Sequence, residues 1–290
     1  MYSEITANKR KTWFLLFFFL VFIAGLAYLG GIYFGDFAIT IGALIGALAY
    51  ALFSYFGAAK TALSFNGANK IQKSDNPRLW RTVENLAITE GLPMPDVYII
   101  EDRALNAFAT GRDPDHASVA ITTGLLDTLS DTELEGVMAH ELGHVKNYDI
   151  RVSMVVFGLV IAISLLADIF LRMSIFSSRD RDSHPLMAIL SIVAMILAPL
   201  VAVVVQAAIS RKREYLADAT GALTTRYPEG LASALEKIKQ GSSVTKRQHT
   251  ASAHLFFANP MKGKSLSGLF STHPPVDDRI AKLRAMGNKV

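Results

Sequence analysis

The sequence predicts a mainly α, multi-pass helical membrane protein whose water-facing part is an α+β domain carrying a small β-sheet. Two observations predict it. The chain has a mean hydropathy of +0.32, and its apolar residues, 51% of the 290, are gathered into uncharged blocks of membrane-spanning length. The stretch between those blocks has the turn punctuation and short alternating segments of a soluble fold.

Trp13 to Gly35 and Phe37 to Ala59 each run 23 residues without a charge, and only Asp36 separates them. At 1.5 Å per residue each reaches about 34 Å, enough for a bilayer core of about 30 Å. Val152 to Leu171 and Leu186 to Ile209 form a second pair of 20 and 24 residues, interrupted only by Asp168. This gives four spans in two hairpins. Lys9-Arg10-Lys11 precedes the first block as it would in a cleaved signal peptide, but the block is too long for one and a second follows at once. A buried hairpin in a soluble core is the alternative for the later pair, and the length of the segments argues against it.

The spans divide the chain into an N-terminal segment 1–12, a membrane hairpin 13–59, a soluble part 60–151, a second hairpin 152–209 and a second soluble part 210–290. Lys9, Arg10, Lys11, Lys60, Lys70, Lys73, Lys146, Arg151, Arg211, Lys212 and Arg213 flank the spans on one side, against Arg172, Arg179 and Arg181 on the other. The positive-inside rule then puts both termini and both soluble parts in the cytoplasm of a cell (inner) membrane protein. With a net charge of +4, this rule and attraction to anionic lipid account for the basic residues, and no nucleic-acid motif is present. The chain has no cysteine, which excludes disulfides, thiolate metal ligands and a cysteine nucleophile.

In the first soluble part, Asn76-Pro77 opens an amphipathic helix with Leu79, Val83, Leu86 and Ala87 on one face, stopped by Gly91 and Pro93. Val97 to Ile100, Ala107 to Thr110 and Ser118 to Thr122 read as strands. Ser130-x-x-Glu133 is a capping box for a helix from Asp131 through His144. In the second, Pro228 to Gln240 is a helix, Gly241 to Ser267 a polar loop or flap, and Val276 to Met286 a terminal helix with Ile280 and Leu283 on its apolar face.

His140-Glu141-Leu142-Gly143-His144 lies on the capped helix. Residues four apart on a helix share a face, so both imidazoles can grip one ion. Zinc takes two such nitrogens and a carboxylate, leaving a fourth position for water, and Glu141 between the ligands can take a water proton as general base. With seven histidines in the chain, chance placement would give about 0.15 pairs at this spacing before a glutamate is required between them. The bland alternative is a solvated helix with surface His and Glu. Glu214-Tyr215-Leu216-Ala217-Asp218 supplies what the pair lacks: Glu214 as third ligand, with Asp218 one turn on to accept a hydrogen bond from His140. His144 lies eight residues before Val152 and Glu214 five after Ile209. If the helices run on into the spans, both ligands stand about 8–12 Å outside the hydrocarbon core on the same side. His116, His184, His249 and His254 have no partner at ligand spacing and are expected to be solvated.

These two clusters, Asn106-Ala107-Phe108-Ala109-Thr110-Gly111 and the terminal His273-Pro274 together resemble the HtpX family of membrane zinc metalloproteases, which are related to the CAAX prenyl proteases. The resemblance covers nearly the whole chain. It implies a gluzincin-type catalytic domain with one Zn2+ per subunit, held by His140, His144 and Glu214 with Glu141 as base. It also implies proteolytic quality control of unfolded or membrane polypeptides, tied to envelope or heat stress. The strand Asn106, Ala107, Phe108, Ala109 becomes the edge on which an extended substrate lies, with ordinary sheet packing by Phe108 as the alternative. His273 becomes a catalytic residue that steadies the oxyanion or touches zinc at rest, with capping of the last helix as its alternative. Arg279 either reaches the site or sits on the surface.

Three rival readings remain. An intramembrane protease would carry its metal helix within a span, but this one opens Asp131-Thr132-Glu133-Leu134-Glu135, too charged for lipid. A transporter would place its ligands at mid-membrane. An inactive scaffold or chaperone with a structural zinc would need no base and is usually closed by a fourth protein ligand.

Overall fold

The structure, a computed structural model, describes residues 2–177, 193, 211–249, 251–260 and 274–287. Helices α1 (Tyr2–Phe34) and α2 (Phe37–Phe65) form the first hairpin. Gly35 turns the chain at φ 66°, and Asp36 caps α2 by accepting the Ala38 N–H at 2.8 Å. The separator seen in the sequence is thus a helix cap, whose side chain satisfies a donor that helix geometry leaves without a partner. Helix α1 starts at Tyr2, so most of the segment before the first apolar block, with its basic run, is helical.

Among the described residues, three helical stretches are long and apolar enough to cross a membrane: Glu4–Leu29, Thr40–Phe65 and Asp149–Asp168. The expected fourth span, Leu186 to Ile209, lies outside the described residues apart from residue 193, as do Arg179, Arg181 and His184. Phe14, Phe17, Phe18, Phe53 and Phe56 stand exposed on α1 and α2. In water each would forgo roughly 1.5–3 kcal/mol of burial; hydrocarbon removes that penalty.

Helix α2 hands directly to the sheet. Asn66 ends it, Gly67 turns at φ 69°, and β1 (Ala68–Lys70) follows. With β2 (Asp96–Ile100), β3 (Ala107–Gly111) and β4 (Ala117–Thr122) it forms a four-stranded sheet of order β1-β2-β4-β3. Only β2 and β4 are parallel; the outer pairings are antiparallel. Strand β1 has three residues, too few for an alternation to show in the sequence, and the reading above has no strand there.

Helix α3 (Pro77–Glu90) is capped by Asn76, which accepts the Leu79 N–H at 2.9 Å, and closes on Gly91 at φ 65°. Its buried residues are Leu79, Val83, Leu86 and Ala87, as its 3.6-residue periodicity predicts. A short α4 (Thr123–Thr128) precedes α5 (Asp131–Lys146), which carries the metal motif. Helix α6 (Asp149–Ser177) re-enters the apolar layer; α7 (Arg211–Thr225), α8 (Pro228–Gln240) and α9 (Val276–Gly287) complete the second soluble part.

Among the described residues there are three apolar clusters. One lies under the sheet and joins α3, α5, α8 and α9. The second, including Ala62, Phe108, Met154, Phe157 and Phe256, ties the sheet to α2 and α6. The third, with Leu16, Phe19, Ala51, Val155 and Leu159, binds α1, α2 and α6 to one another. The sheet is therefore packed without a break against α2 and α6, the helices of spanning length that adjoin it.

The capping box of α5 forms as predicted: the Ser130 side chain accepts from the Glu133 N–H, and Glu133 accepts the Ser130 N–H at 2.7 Å. Glu133 also takes hydrogen bonds from Ser233 at 2.5 Å and Lys237 at 2.6 Å, both on α8. Burial works against its charge, but the bonds from Lys237, Ser233 and Ser130 win and hold its carboxyl down at about 2. A carboxylate depressed on folding contributes fully above its unfolded value of about 4.3, and the contribution fades as pH falls towards about 2. Melting in detergent should show this acid-labile component between about pH 4.3 and 2. Glu133→Gln should melt lower at neutral pH and respond less to acid in that window; parallel profiles for the two proteins would contradict the assignment.

Candidate metal centre

Two helices bring the site together because small residues let their backbones touch. A Cβ on Gly143 would lie 3.4 Å from the Cα of Ala217, and one on Gly221 would lie 3.1 Å from the backbone N of His140. Helices α5 and α7 therefore meet at backbone contact where their functional side chains leave the main chain. Gly136 does the same against α8, where its Cβ would come within 2.7 Å of the Leu231 N.

At this crossing, His140 Nε2 and His144 Nε2 lie 3.2 Å apart, and Glu214 approaches them at 3.8 and 3.6 Å. The three residues form a group able to hold a metal, with ligand atoms all within 4.8 Å of one another. Tetrahedral zinc with bonds of about 2.0–2.1 Å separates neighbouring ligand atoms by about 3.3 Å, so the spacing fits such an ion.

Each imidazole is oriented through its other nitrogen. His140 Nδ1 lies 2.9 Å from Asp218 Oδ1, and His144 Nδ1 lies 2.9 Å from Asp149 Oδ2. A carboxylate can only accept, so Nδ1 carries the proton in both rings and Nε2 presents its lone pair to the shared point. Asp218 is gripped in turn by Arg279, whose guanidinium donates at 2.6 and 2.8 Å. Asp149 receives Arg213 Nη1 at 3.3 Å.

These pairings decide the charge of the site. Arg279 matches Asp218 and Arg213 matches Asp149, and Glu141 and Glu214 add two further carboxylates beside the imidazoles. Burial keeps His140 neutral, with its pKa lowered to about 4. At His144 burial acts the same way but is outweighed by Glu214, Asp149 and Glu141, which raise it to about 9. The negative charge around His144 thus favours a cation at Nε2, where a proton and a metal ion compete for the same lone pair. Burial also opposes the Asp218 charge, yet Arg279 and His140 hold its carboxyl down at about 2. Glu141 is buried beside this cluster, within the electrostatic reach of His144 and Arg279.

Several placements differ from the sequence reading. Helices α5 and α6 are not continuous: Asn147 ends the first, Tyr148 adopts the left-handed φ of 59°, and Asp149 begins the second. That break carries Asp149 back onto His144; on an unbroken helix a residue five positions on would sit about 140° round the axis. Of the two alternatives for Arg279, the structure shows the one that reaches the site: it is fully buried on Asp218. His254, expected to be solvated, is buried with Nε2 3.1 Å from the Ser153 carbonyl, and burial lowers its pKa to about 4. His116 and His249 are exposed.

On the candidate substrate strand, Asn106 is fully buried and its side-chain amide donates to the carbonyls of Ser243 and Ala258 at 3.1 and 2.7 Å. The Ala107 carbonyl accepts the Phe257 N–H at 2.8 Å, and Phe108 packs edge-on against Phe256 at 5.0 Å. Ala109 is the next residue whose main chain faces away from β4. The loop that Asn106 anchors sets the Phe257 ring edge-on against His140 at 5.0 Å, with the Arg279 guanidinium over it at 4.9 Å. Neither Asp149 nor Phe257 was found from the sequence. His273 lies outside the described residues, as does the end of the Gly241 to Ser267 loop.

The profile of Peptidase family M48 matches residues 73–287. A protease HtpX homolog of Tropheryma whipplei (strain Twist) is 53% identical over all of this chain and 99% of its own length. The chain belongs to the HtpX proteases of peptidase family M48. Two more protease HtpX homologs, from Lactobacillus helveticus and Dictyoglomus turgidum, are 45% and 43% identical over 99% of this chain and 100% and 95% of their own. The crystal structure of S. mikatae Ste24p shares the fold at a TM-score of 0.50 and 22% identity, across 98% of this chain and 67% of that one. With three helices of spanning length, this M48 chain is a multi-pass membrane metalloprotease.

Asp218→Asn keeps the side chain's shape but removes the charge that Arg279 and His140 share. Zinc affinity, read by competition with a chelator, should fall about 10- to 100-fold, the usual cost of losing an outer partner of a ligand imidazole. Wild-type affinity in a folded variant would mean that the carboxylate does not orient His140.

Proposed function

We propose that the protein is a zinc endopeptidase that cleaves unfolded or damaged membrane polypeptides at the cytoplasmic face of the cell membrane. The observation that carries the reading is the convergence of His140 Nε2, His144 Nε2 and a Glu214 carboxylate within 4.8 Å, with Glu141 buried on the intervening turn. His140, His144 and Glu214 would hold the ion. Bound there, zinc supplies Lewis acidity that polarises a peptide carbonyl and makes water acidic enough to react near neutral pH.

The chain's own residues do the rest. Glu141 takes the proton of the attacking water at a carboxylate oxygen and returns it to the leaving amine. Asp218 and Asp149 keep the two imidazoles in one tautomer and one orientation throughout. Phe257, packed on the far side of the His140 ring, excludes water from it. An extended substrate adds to the outer edge of β3 at Ala109, where main-chain hydrogen bonds give affinity with little demand on side-chain identity. Such loose selection suits a quality-control enzyme.

The metal-bearing helices stand next to the basic residues Lys146, Arg151, Arg211, Lys212 and Arg213, which supports a cytoplasmic site by the positive-inside rule. His273 remains our candidate for a second catalytic group that steadies the oxyanion.

Glu141→Gln should retain stoichiometric zinc and cleave an unfolded membrane polypeptide at least about 100-fold more slowly, as expected for loss of a general base. Full turnover by the purified variant would remove Glu141 from this role. Glu214→Ala should lower the zinc content measured by elemental analysis, and an unchanged content would exclude it as a ligand. Self-cleavage in detergent should stop on chelation and return with added zinc.

A further inference from the structure

The first membrane helix reaches the metal centre. Asn8, on α1 and 4% exposed, uses both protons of its side-chain amide. One goes to the Asn147 carbonyl at 2.9 Å, the other to Asp149 Oδ1 at 2.8 Å. The opposite oxygen of that carboxylate holds His144 Nδ1. A single carboxylate therefore joins α1 to a ligand imidazole, and the amide leaves it no freedom to rotate without losing a bond.

The neighbouring residue acts on the same turn. Lys9 Nζ sits over the Tyr148 ring at 4.4 Å, and the Arg151 guanidinium lies against that ring at 4.9 Å. Tyr148 is the residue whose left-handed conformation breaks α5 from α6 and delivers Asp149 to His144. Further along the same surface, Lys212, two residues before Glu214, pairs with Glu4 of α1 at 2.6 Å. Three residues from one end of α1, Glu4, Asn8 and Lys9, thus hold the α5–α6 turn and the start of α7.

We propose that Asn8 is a positioning residue of the metal centre, acting through Asp149 on His144, so that the seating of the first membrane helix sets how firmly the metal is held. The proposal rests on the reading of His144 as a ligand. Asn8 touches neither ion nor substrate. Its effect is to fix Asp149, and through it the direction of the Nε2 lone pair.

The test uses the full chain in detergent, with zinc affinity read by chelator competition and the visible spectrum of the cobalt-substituted protein as a report on ligand geometry. Asn8→Ala should weaken zinc binding about 3- to 10-fold, less than loss of the direct partner, and shift the cobalt spectrum. Thr12→Val is the control, one turn along the same helix and equally buried, with its hydroxyl bonded only to the Asn8 carbonyl. It should leave both readings unchanged. In an Asp149→Asn background the Asn8→Ala change should have no further effect, because the route through the carboxylate is already cut.

Unchanged affinity in Asn8→Ala, an equal loss in Thr12→Val, or the same additional loss in the Asp149→Asn background would each overturn the proposal. Should Asn8→Ala fail to fold, the isosteric Asn8→Asp, which sets a second carboxylate against Asp149, is expected to lose zinc more readily, and wild-type affinity there would equally overturn it. Undiminished zinc in His144→Ala would instead withdraw the ligand assignment beneath it.

Discussion

The backbone contact between α5 and α7 is the constraint on which the site depends. A catalytic ion needs ligand atoms about 3.3 Å apart, while helices bearing ordinary side chains pack with axes 8–10 Å apart. Gly143, Ala217 and Gly221 close that gap by leaving nothing between the main chains. Glutamate has the reach to use the closeness, and Glu214 meets both imidazoles from the opposing helix. Two imidazoles from one helix set the direction of the site, and one carboxylate from another completes it.

Holding the atoms close is not enough, because an imidazole can rotate and exchange protons between its nitrogens. The structure answers with a carboxylate behind each ring and a cation behind each carboxylate. The two chains of contact differ in origin. Asp218 is a helical neighbour of Glu214, and its guanidinium comes from the terminal helix α9. Asp149 comes from the start of a membrane helix and gathers Arg213 of α7 and Asn8 of α1. His140 is thereby tied to the soluble domain, and His144 to the membrane-embedded part.

What the sequence revealed follows from the range of the interactions involved. The metal helix and its capping box, the buried face of α3 and the Asn76 cap rest on contacts within one or two turns, so spacing displays them. The same holds for the pairing of His140 with Asp218, because Asp218 stands one turn from Glu214, itself a candidate ligand by spacing. Asp149 was missed for the opposite reason: it follows a residue of positive φ, and spacing arguments assume an unbroken helix. Phe257 and Arg279 reach the site only through tertiary packing, and the polar, serine-rich composition of Gly241 to Ser267 gives no sign that two phenylalanines within it, Phe256 and Phe257, are buried. His254 has no partner near it in sequence, yet it is buried with one ring nitrogen on a distant carbonyl of α6. The side-chain amide of Asn106 bonds the carbonyls of Ser243 and Ala258, partners too distant in sequence for spacing to display.

The three spanning helices are not equivalent, and the difference bears on how the membrane part serves the site. In the apolar windows of Glu4–Leu29 and Thr40–Phe65, 22% of residues are buried; in that of Asp149–Asp168 the share is 61%. Helix α6 is a central post wedged between the hairpin and the sheet, and α1 and α2 form its lipid-facing jacket. The post begins at Asp149, where it leaves the apolar layer and meets the imidazole. A jacket helix that shifts against it can do so with little loss along its apolar length, because aliphatic contacts there are numerous and undirected. At Asn8 the same shift meets two directional hydrogen bonds in a buried setting, where breaking either leaves a polar group without a partner. Register between the membrane helices is therefore fixed most sharply where Asp149 meets His144.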